Sequence, residues 1–246
     1  MEKYRNTIEF QVRGDYALFS DPVTRVGGEK SSYHIPTYEA IKGIIHSIYW
    51  KPTIIWIVDA VRVMKQIQTE TKGMRPLTYN EAGNELAYYT YLKDVVYQVR
   101  AHFEWNMNRP ELANDRNEHK HHNIARRMVA RGGRRDIFLG TRECQGFVEP
   151  CVFGEGAGDY DHLTGEVAYG FMYHGITYAD EAVLPEDQGL MTVRFWRPVM
   201  TKGGIIEFTR PEACTDKRHI KEMSAKVFDS HNFCGLSEFT PEEVGD

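Results

Sequence analysis

The sequence predicts an α+β protein in which a ferredoxin-like (RRM-like) βαββαβ domain is followed by a smaller antiparallel β-sheet domain. Two observations predict this class. Hydrophobic periods typical of strands and helices follow one another in the order strand, helix, strand, strand, helix, strand. Beyond a glycine-rich gap at residues 154–158, the patterns are those of strands. We therefore predict two domains, residues 1–155 and residues 156–246.

The first strand is predicted over residues 7–19. Ile8, Phe10 and Val12 alternate there with polar residues, which is the period of a half-buried strand. Gly14 interrupts this alternation, and we interpret it as a bulge.

The first helix is predicted from about Thr37 to Trp50, and Pro52 ends it. Four isoleucines at positions i, i+3, i+4 and i+7 form one apolar face: Ile41, Ile44, Ile45 and Ile48. Tyr49 falls at the border of that face. Its ring can therefore pack while its hydroxyl reaches solvent or a ligand.

Two strands and a connection between them come next. Residues 53–64 contain an apolar run typical of a largely buried strand. Residues 68–90 are rich in Thr, Gly, Asn and Glu, which predicts either a long connection or a protruding hairpin. Residues 95–105 alternate cleanly, so their apolar side chains are expected on one face of a strand.

The second helix is predicted over residues 116–131. Asp115 and Glu118 have the spacing of a capping box, and Gly132-Gly133 closes the helix. The last strand of the βαββαβ unit follows at residues 146–153. The inward face of the helix is expected to consist of five residues: His121, Ile124, Ala125, Met128 and Val129.

The second domain is predicted to contain strands at residues 166–178 and 190–208. Lys202-Gly203-Gly204 supplies a hairpin turn within the latter. From Thr209 the periodicity is weaker, and we expect the tail to be partly irregular.

The composition is ordinary for a globular protein, with 246 residues of which 41% are hydrophobic and 26% are charged. The chain contains no apolar run of about 18 residues and no signal-peptide pattern, so we expect a cytoplasmic protein without a membrane segment. The four cysteines form no Cys-x-x-Cys pair, which favours free thiols over disulfides or a zinc site.

Positive charge is concentrated in one part of the chain. Residues 100–142 carry ten basic and five acidic side chains, whereas residues 143–246 carry eight basic and 19 acidic side chains. A local basic patch governs binding to a polyanion more than the net charge of −5 does. The alternative is a solvated basic face. Seven arginines are the predicted RNA-binding residues: Arg116, Arg126, Arg127, Arg131, Arg134, Arg135 and Arg142.

Three further side chains have the chemistry of metal-independent RNA cleavage. In that reaction the 2′-hydroxyl of the RNA attacks the neighbouring phosphate, which requires a base, an acid and a cation. His121 can be base or acid, Lys120 can stabilise charge, and Tyr49 can be an acid or an orienting hydroxyl. The ordinary pKa of tyrosine, near 10, makes it a poor base. The structural alternatives are a core histidine at position 121 and a packing role for Tyr49.

Other site chemistries lack support in the sequence. Helical geometry places His119 and His121 about 200° apart, and no carboxylate completes a familiar ligand spacing, so we predict no metal site and no cofactor. The glycine clusters match no phosphate-binding or dinucleotide-binding motif.

Six segments resemble the Dvulg (type I-C) branch of the fifth CRISPR-associated protein family, and the similarity covers roughly residues 7–210. The segments are Gly14–Pro22 (GDYALFSDP), Tyr33–Thr37 (YHIPT), Ser47–Thr53 (SIYWKPT), Tyr91–Val95 (YLKDV), Asp115–Glu118 (DRNE) with Lys120-His121, and Gly132–Cys144 (GGRRDIFLGTREC).

The resemblance implies a RAMP-type protein of antiviral defence with a ferredoxin-like domain. It implies a metal-independent endoribonuclease that cuts the CRISPR repeat of precursor crRNA, leaving a 2′,3′-cyclic phosphate and a 5′-hydroxyl. The tyrosine, lysine and histidine of that family correspond to Tyr49, Lys120 and His121.

The resemblance also implies partners. These are the 5′ handle of the crRNA and the other subunits of the type I-C interference complex. The alternative function is a non-catalytic subunit that caps the crRNA, with double-stranded DNA as a further candidate ligand of the basic face.

Overall fold

In the computed structural model, residues 5–26, 28–75 and 86–225 are described. The helices are α1 (Pro22–Arg25), α2 (Tyr38–Ile48) and α3 (Glu118–Ala130). The strands are β1 (Thr7–Ala17), β2 (Ile54–Val63), β3 (Thr69–Met74), β4 (Ala87–Trp105), β5 (Ile137–Phe138), β6 (Gln145–Pro150), β7 (Val167–Ala168), β8 (Met172–Thr177), β9 (Leu190–Trp196), β10 (Val199–Thr201), β11 (Ile205–Glu207) and β12 (Asp216–Glu222).

The centre of the main sheet has the strand order β6-β1-β4-β2, and each neighbouring pair is antiparallel. Helix α2 connects β1 to β2, and α3 connects β4 to β6. Each helix therefore links two strands that are separated by one other strand, which is the split arrangement of a βαββαβ unit. The predicted α+β class, with a mostly antiparallel sheet, is confirmed.

Burial on the helix side of this sheet explains why α2 and α3 form where they do. All four isoleucines of the α2 stripe are buried, and the Thr37 side chain caps the helix by accepting a hydrogen bond from the Ala40 N–H. Of the five residues predicted to face inward on α3, His121, Ala125 and Val129 are buried, whereas Ile124 and Met128 are half-buried and pack against the core. The two helices thereby bring their ends close together over the sheet.

Gly14 is not a bulge, because the pairing of β1 with β4 continues through it without a register shift. A Cβ atom at this position would lie 2.6 Å from Leu139 Cδ1 and 2.9 Å from the Gln145 carbonyl oxygen. The glycine is required by this close approach of the segment after α3.

The N-cap predicted for the second predicted helix, which is α3 in the structure, is also wrong. Asn117 is the cap, and its side chain accepts a hydrogen bond from the Lys120 N–H. Asp115 ends the preceding 3-10 turn (Pro110–Asp115), and its carboxylate binds other side chains. Both residues are good caps, but only Asp115 has a glutamate three residues later, so the capping-box spacing favours the wrong one.

The segment at residues 68–90, for which the sequence left a long connection and a protruding hairpin open, contains a hairpin. Strand β3 pairs with the first part of β4 from Thr69–Leu92 to Met74–Ala87. Residues 76–85, within the predicted connection, lie outside the described residues.

Strands after residue 155 contribute to two sheets. Strand β11 pairs with β2, and β10 and β7 extend the main sheet from there, while β8, β9 and β12 form a separate three-stranded sheet. The predicted turn at Lys202–Gly204 joins β10 to β11 and is confirmed, with positive φ at its two glycines. The predicted domain boundary stays a prediction.

Part of the tail is more regular than predicted, because β12 pairs with β9 over residues 216–222. Residues 226–246, the rest of the predicted irregular tail, lie outside the described residues. Cys144, Cys151 and Cys214 are free thiols, whereas Cys234 falls in that last segment. Within the described ranges, no helix has both the length and the apolar character needed to cross a membrane.

Candidate active site

Tyr49 and His121 meet where the ends of α2 and α3 converge. Tyr49 follows the last residue of α2 in an extended conformation, and the Trp56 indole N–H donates to its carbonyl oxygen at 2.8 Å. His121 lies in the first turns of α3. The Tyr49 hydroxyl oxygen is 2.8 Å from His121 Nδ1, although the residues are 72 positions apart in the chain.

The second ring nitrogen of His121 determines the direction of that hydrogen bond. His121 Nε2 is 2.8 Å from the Asp115 carbonyl oxygen. A carbonyl oxygen only accepts hydrogen bonds, so Nε2 carries a proton. In the neutral imidazole Nδ1 is then the acceptor, and the Tyr49 hydroxyl donates to it.

Asp115 links the lysine to this pair. Its carboxylate accepts hydrogen bonds from the Lys120 ammonium and, at 2.7 Å, from the Thr53 hydroxyl. One of its carboxylate oxygens is also 3.4 Å from His121 Nε2. The hydrogen bonds from Lys120 and Thr53 lower the pKa of Asp115. The Asp115 carboxylate therefore holds Lys120 beside His121 and connects both to Thr53, the residue that precedes β2.

The three predicted catalytic residues differ in exposure. His121 is fully buried, with the Trp105 ring centroid at 5.7 Å, and Tyr49 is 3% exposed. The Lys120 side chain is 50% exposed. Lys120 is therefore the member of the group most open to a ligand, and His121 has the burial expected of a core histidine.

Burial raises the pKa of Tyr49 to about 12, with a further contribution from the Asp115 carboxylate, while the Arg134 guanidinium opposes the shift. Tyr49 is therefore protonated at neutral pH. This excludes a role as a free phenolate base and is consistent with the predicted role as an acid or an orienting hydroxyl.

Six of the seven predicted RNA-binding arginines have exposed side chains. The segment that carries Arg134 and Arg135 is fixed beside the last turn of α2, because both backbone N–H groups donate to the Ser47 carbonyl oxygen at 3.1 and 3.0 Å. The exposed side chains are those of Arg126, Arg127, Arg131, Arg134, Arg135 and Arg142.

Arg116 differs from the other six. Its guanidinium donates to the carbonyl oxygens of Asn106 and Arg109 at 3.1 and 3.2 Å and is half-buried. Arg116 therefore holds the turn that precedes α3, and a contact with RNA stays a prediction.

Sequence reasoning assigned Asp115 to a helix cap and so missed its place in the site. A usable signal was present, because an acidic residue five positions before Lys120 is a natural partner for its charge. In the described part of the chain, no three His, Cys, Asp or Glu side chains are placed to hold a metal ion together.

The family model of the CRISPR-associated protein Cas5d matches residues 7–208. This chain belongs to the Cas5d family. The matched range contains the whole βαββαβ unit and every residue of the candidate site. The sequence resemblance to the Dvulg branch is thereby confirmed.

Two proteins that carry the name Cas5d are similar in sequence to this chain. The CRISPR pre-crRNA endoribonuclease Cas5d of Mannheimia succiniciproducens is 28% identical over 169 residues, which is 60% of this chain and 68% of the relative. The protein of the same name from Thermus thermophilus is 30% identical over 156 residues, 58% of this chain and 63% of the relative.

A crystal structure of a CRISPR-associated protein superimposes on the Cas5d-family chain with a TM-score of 0.71. The two chains are 35% identical, and the match covers 86% of this chain and 96% of the other. The fold described above is therefore shared with a solved CRISPR-associated protein.

The proposed linking role of Asp115 predicts a change in acid stability when Asp115 is replaced by asparagine. A carboxyl whose pKa is lowered in the folded state contributes stability above its unfolded pKa of about 3.9, and this contribution is lost as the pH falls through the lower folded value. We expect Asp115→Asn to lower the Tm at neutral pH and to flatten the decline of Tm in acid.

Thermal unfolding at a series of pH values measures both effects. Asp136→Asn, at an exposed position, is the matched control and should follow the parent protein. An acid decline of the same steepness in Asp115→Asn and the parent would rule out the ionic role of Asp115.

Proposed function

We propose that this Cas5d-family chain is a metal-independent endoribonuclease that cleaves the CRISPR repeat in precursor crRNA. The observation that carries the proposal is the 2.8 Å hydrogen bond between Tyr49 and His121, with Lys120 held beside it by Asp115. Membership of the Cas5d family supports it, as does the name of the two relatives, CRISPR pre-crRNA endoribonuclease.

The proposed reaction uses the 2′-hydroxyl of the RNA as the nucleophile. Its oxygen forms a bond to the adjacent phosphorus, and the bond from phosphorus to the 5′-oxygen of the next nucleotide breaks. The 2′-hydroxyl loses a proton to a base, and the departing 5′-oxygen gains one from an acid. The products are a 2′,3′-cyclic phosphate and a 5′-hydroxyl.

The hydrogen bonds of the site support His121, acting through Tyr49, as the base. The Tyr49 oxygen orients the 2′-hydroxyl and accepts its proton while passing its own proton to His121 Nδ1. The imidazolium that forms is stabilised by the Asp115 carbonyl oxygen at 2.8 Å and by the carboxylate oxygen at 3.4 Å. A tyrosine with a pKa of about 12 is suitable for this relay because it never persists as a phenolate.

Lys120 supplies the cation. Its exposed ammonium group lies next to the pair and can stabilise the charge that develops on the phosphorane. The same group donates the proton to the departing 5′-oxygen. The RNA then touches Tyr49 and Lys120 and not the fully buried His121. Because Tyr49 is itself only 3% exposed, this reaction requires the surroundings of its hydroxyl to open when the RNA binds.

The second candidate function is a subunit that binds and caps crRNA without cutting it. The burial of His121, with both ring nitrogens hydrogen-bonded, favours this alternative. In either case we propose that the protein keeps the 5′ handle as a subunit of a type I-C interference complex, through the exposed arginines of α3 and the following segment. Double-stranded DNA is a further proposed ligand of the same arginines.

Incubation with the CRISPR repeat RNA in EDTA distinguishes the two functions. We expect a single cut that leaves a 2′,3′-cyclic phosphate and a 5′-hydroxyl. An otherwise identical RNA with a 2′-deoxy sugar at the cut should stay intact because it lacks the nucleophile. Tight binding of the unmodified RNA without cleavage would instead establish the capping function, and normal cleavage of the deoxy RNA would refute the proposed attack.

A further inference from the structure

Thr53 connects the centre of the main sheet to the Asp115 carboxylate. It directly precedes β2 and is 1% exposed. Its hydroxyl donates a hydrogen bond to the Asp115 carboxylate at 2.7 Å, across 62 positions of the chain. A residue this deeply buried is not placed to contact RNA. An effect of Thr53 on the reaction therefore has to pass through Asp115.

The backbone of Thr53 is fixed by two elements of the fold. The ladder between β2 and β4 ends at the pair Ile54–Trp105. The Asn106 N–H extends this ladder by donating to the Thr53 carbonyl oxygen at 2.9 Å. Asn106 is 3% exposed, and its side-chain amide donates to the Asp180 carbonyl oxygen at 2.9 Å, in the turn that follows β8. The Thr53 hydroxyl is therefore a donor on a rigid support.

Asp115 and Lys120 lie at less constrained positions. Asp115 ends the 3-10 turn before α3, and its side chain is 29% exposed. The last torsion angle of an aspartate has only a broad preference, so hydrogen bonds decide how the carboxylate is oriented. Lys120 has a flexible four-carbon chain that is 50% exposed. Packing alone therefore does not set the position of the ammonium group.

The two carboxylate oxygens of Asp115 have different partners. Oδ1 accepts a hydrogen bond from the Lys120 ammonium, whereas Oδ2 accepts one from the Thr53 hydroxyl and lies 3.4 Å from His121 Nε2. The hydrogen bonds from Lys120 and from Thr53 lower the pKa of Asp115, which keeps it anionic at neutral pH. With Oδ2 held by Thr53, the plane of the carboxylate is set and Oδ1 faces Lys120.

From these contacts we propose that Thr53 is a positioning residue of the cleavage reaction. Its hydroxyl sets the orientation of the Asp115 carboxylate. The carboxylate in turn holds the Lys120 ammonium beside Tyr49 and His121, where charge develops on the phosphorane. The proposal rests on the proposed function for the reaction, and it adds a buried residue that acts on the reaction without touching the RNA.

Replacing Thr53 by valine removes the hydroxyl and keeps the shape of the side chain. We expect the single-turnover rate at saturating repeat RNA to fall about ten- to a hundredfold, because a small displacement of a group that stabilises the transition state has effects of this size. The Kd for the RNA should stay at that of the parent protein. Cleavage by Thr53→Val at the parent rate would overturn the proposal, and so would a loss confined to the Kd.

Thr53→Ser is the conservative variant. It retains the hydroxyl and lacks only the methyl group, so it should cleave at close to the parent rate. A serine variant as slow as the valine variant would show that Thr53 matters through its packing, and the role of its hydroxyl would be wrong.

Thr192→Val is the matched control for the loss of a buried hydroxyl. Thr192 is fully buried on β9, and its hydroxyl likewise donates to a carboxylate, that of Asp187, at 3.1 Å. Each valine variant should lower the Tm by about 2–4 °C, but only Thr53→Val should slow cleavage. Equal slowing in both variants would attribute the effect to general destabilisation and overturn the proposal.

A double-variant cycle with Lys120 tests whether Thr53 acts through the ammonium group. Lys120→Met keeps most of the length of the side chain and removes its charge. In that background Thr53→Val should slow cleavage no further, since no ammonium group is left to position. Slowing by the same factor in both backgrounds would show that the hydroxyl acts independently of Lys120 and would contradict the proposal.

The parent protein distinguishes this proposal from the proposed function. A parent protein that binds repeat RNA without cutting it defeats the proposed catalysis, and with it any positioning of Lys120 for that reaction. A parent protein that cuts, together with a Thr53→Val variant that cuts equally fast, leaves the catalysis intact and defeats only the role of Thr53.

Discussion

Replacing Tyr49 by phenylalanine is expected to lower the single-turnover rate of repeat RNA cleavage by about a hundred- to ten-thousandfold. The change removes one oxygen atom, which both orients the 2′-hydroxyl and passes a proton to His121 Nδ1 at 2.8 Å. The ring remains to fill its place at the end of α2. The Kd for the RNA should therefore stay close to that of the parent protein while the rate falls.

Tyr169→Phe is the matched control for this replacement. The Tyr169 hydroxyl donates to the Met200 sulfur at 3.6 Å, away from the candidate site, so its loss should not affect the rate. Cleavage by Tyr49→Phe at the rate of this control would eliminate Tyr49 from the reaction.

Replacing His121 by alanine is expected to reduce the cleavage rate at least as strongly and also to destabilise the fold. The ring is fully buried, and its removal leaves a cavity and deprives Tyr49 and the Asp115 carbonyl of their partner. We expect the free energy of unfolding to fall by roughly 2–4 kcal/mol. Denaturant unfolding measures this loss beside the cleavage rate.

A second variant separates catalysis from stability. His121→Gln retains an N–H group for the Asp115 carbonyl oxygen but has no basic nitrogen at the position of Nδ1. It should therefore keep more of the stability than alanine does and remain as inactive. His119→Ala, at a 63% exposed neighbour, should cleave normally. An active His121→Gln protein, or an inactive His119→Ala protein, would contradict the assignment of the base to His121.

The sequence was sufficient to predict that Tyr49 and His121 lie at the ends of two helices on one side of a sheet. The isoleucine stripe and the inward face of α3 are strong periodic signals, because each helix buries that face against the same strands. The βαββαβ order places both helices together on that side, whereas the hydrogen bond between the two side chains depends on how the helix ends pack. The orientation of Asp115 depends on Thr53 as well as on Lys120, and local spacing carries no information on the contact with Thr53, which is 62 positions away in the chain.

Two strands have polar and largely exposed faces: β3, where the sequence left a connection or a hairpin open, and β12, which the sequence did not predict. Both β3 and β12 pair along the backbone with a longer strand, while most of their side chains face solvent. Strands that are held only by backbone pairing show no alternation of apolar and polar residues, so the sequence pattern does not predict them. Gly14 was misread for a related reason, since the atoms that exclude a side chain there belong to Leu139 and Gln145, more than a hundred residues away.

The most direct test of the proton relay is the cleavage rate of the double variant Tyr49→Phe with His121→Gln, measured beside the two single variants. If the two side chains act as one unit, the second replacement removes nothing further, and the double variant cleaves about as slowly as the slower single variant. A double variant slowed by the full product of the two single losses would show independent roles and contradict the relay.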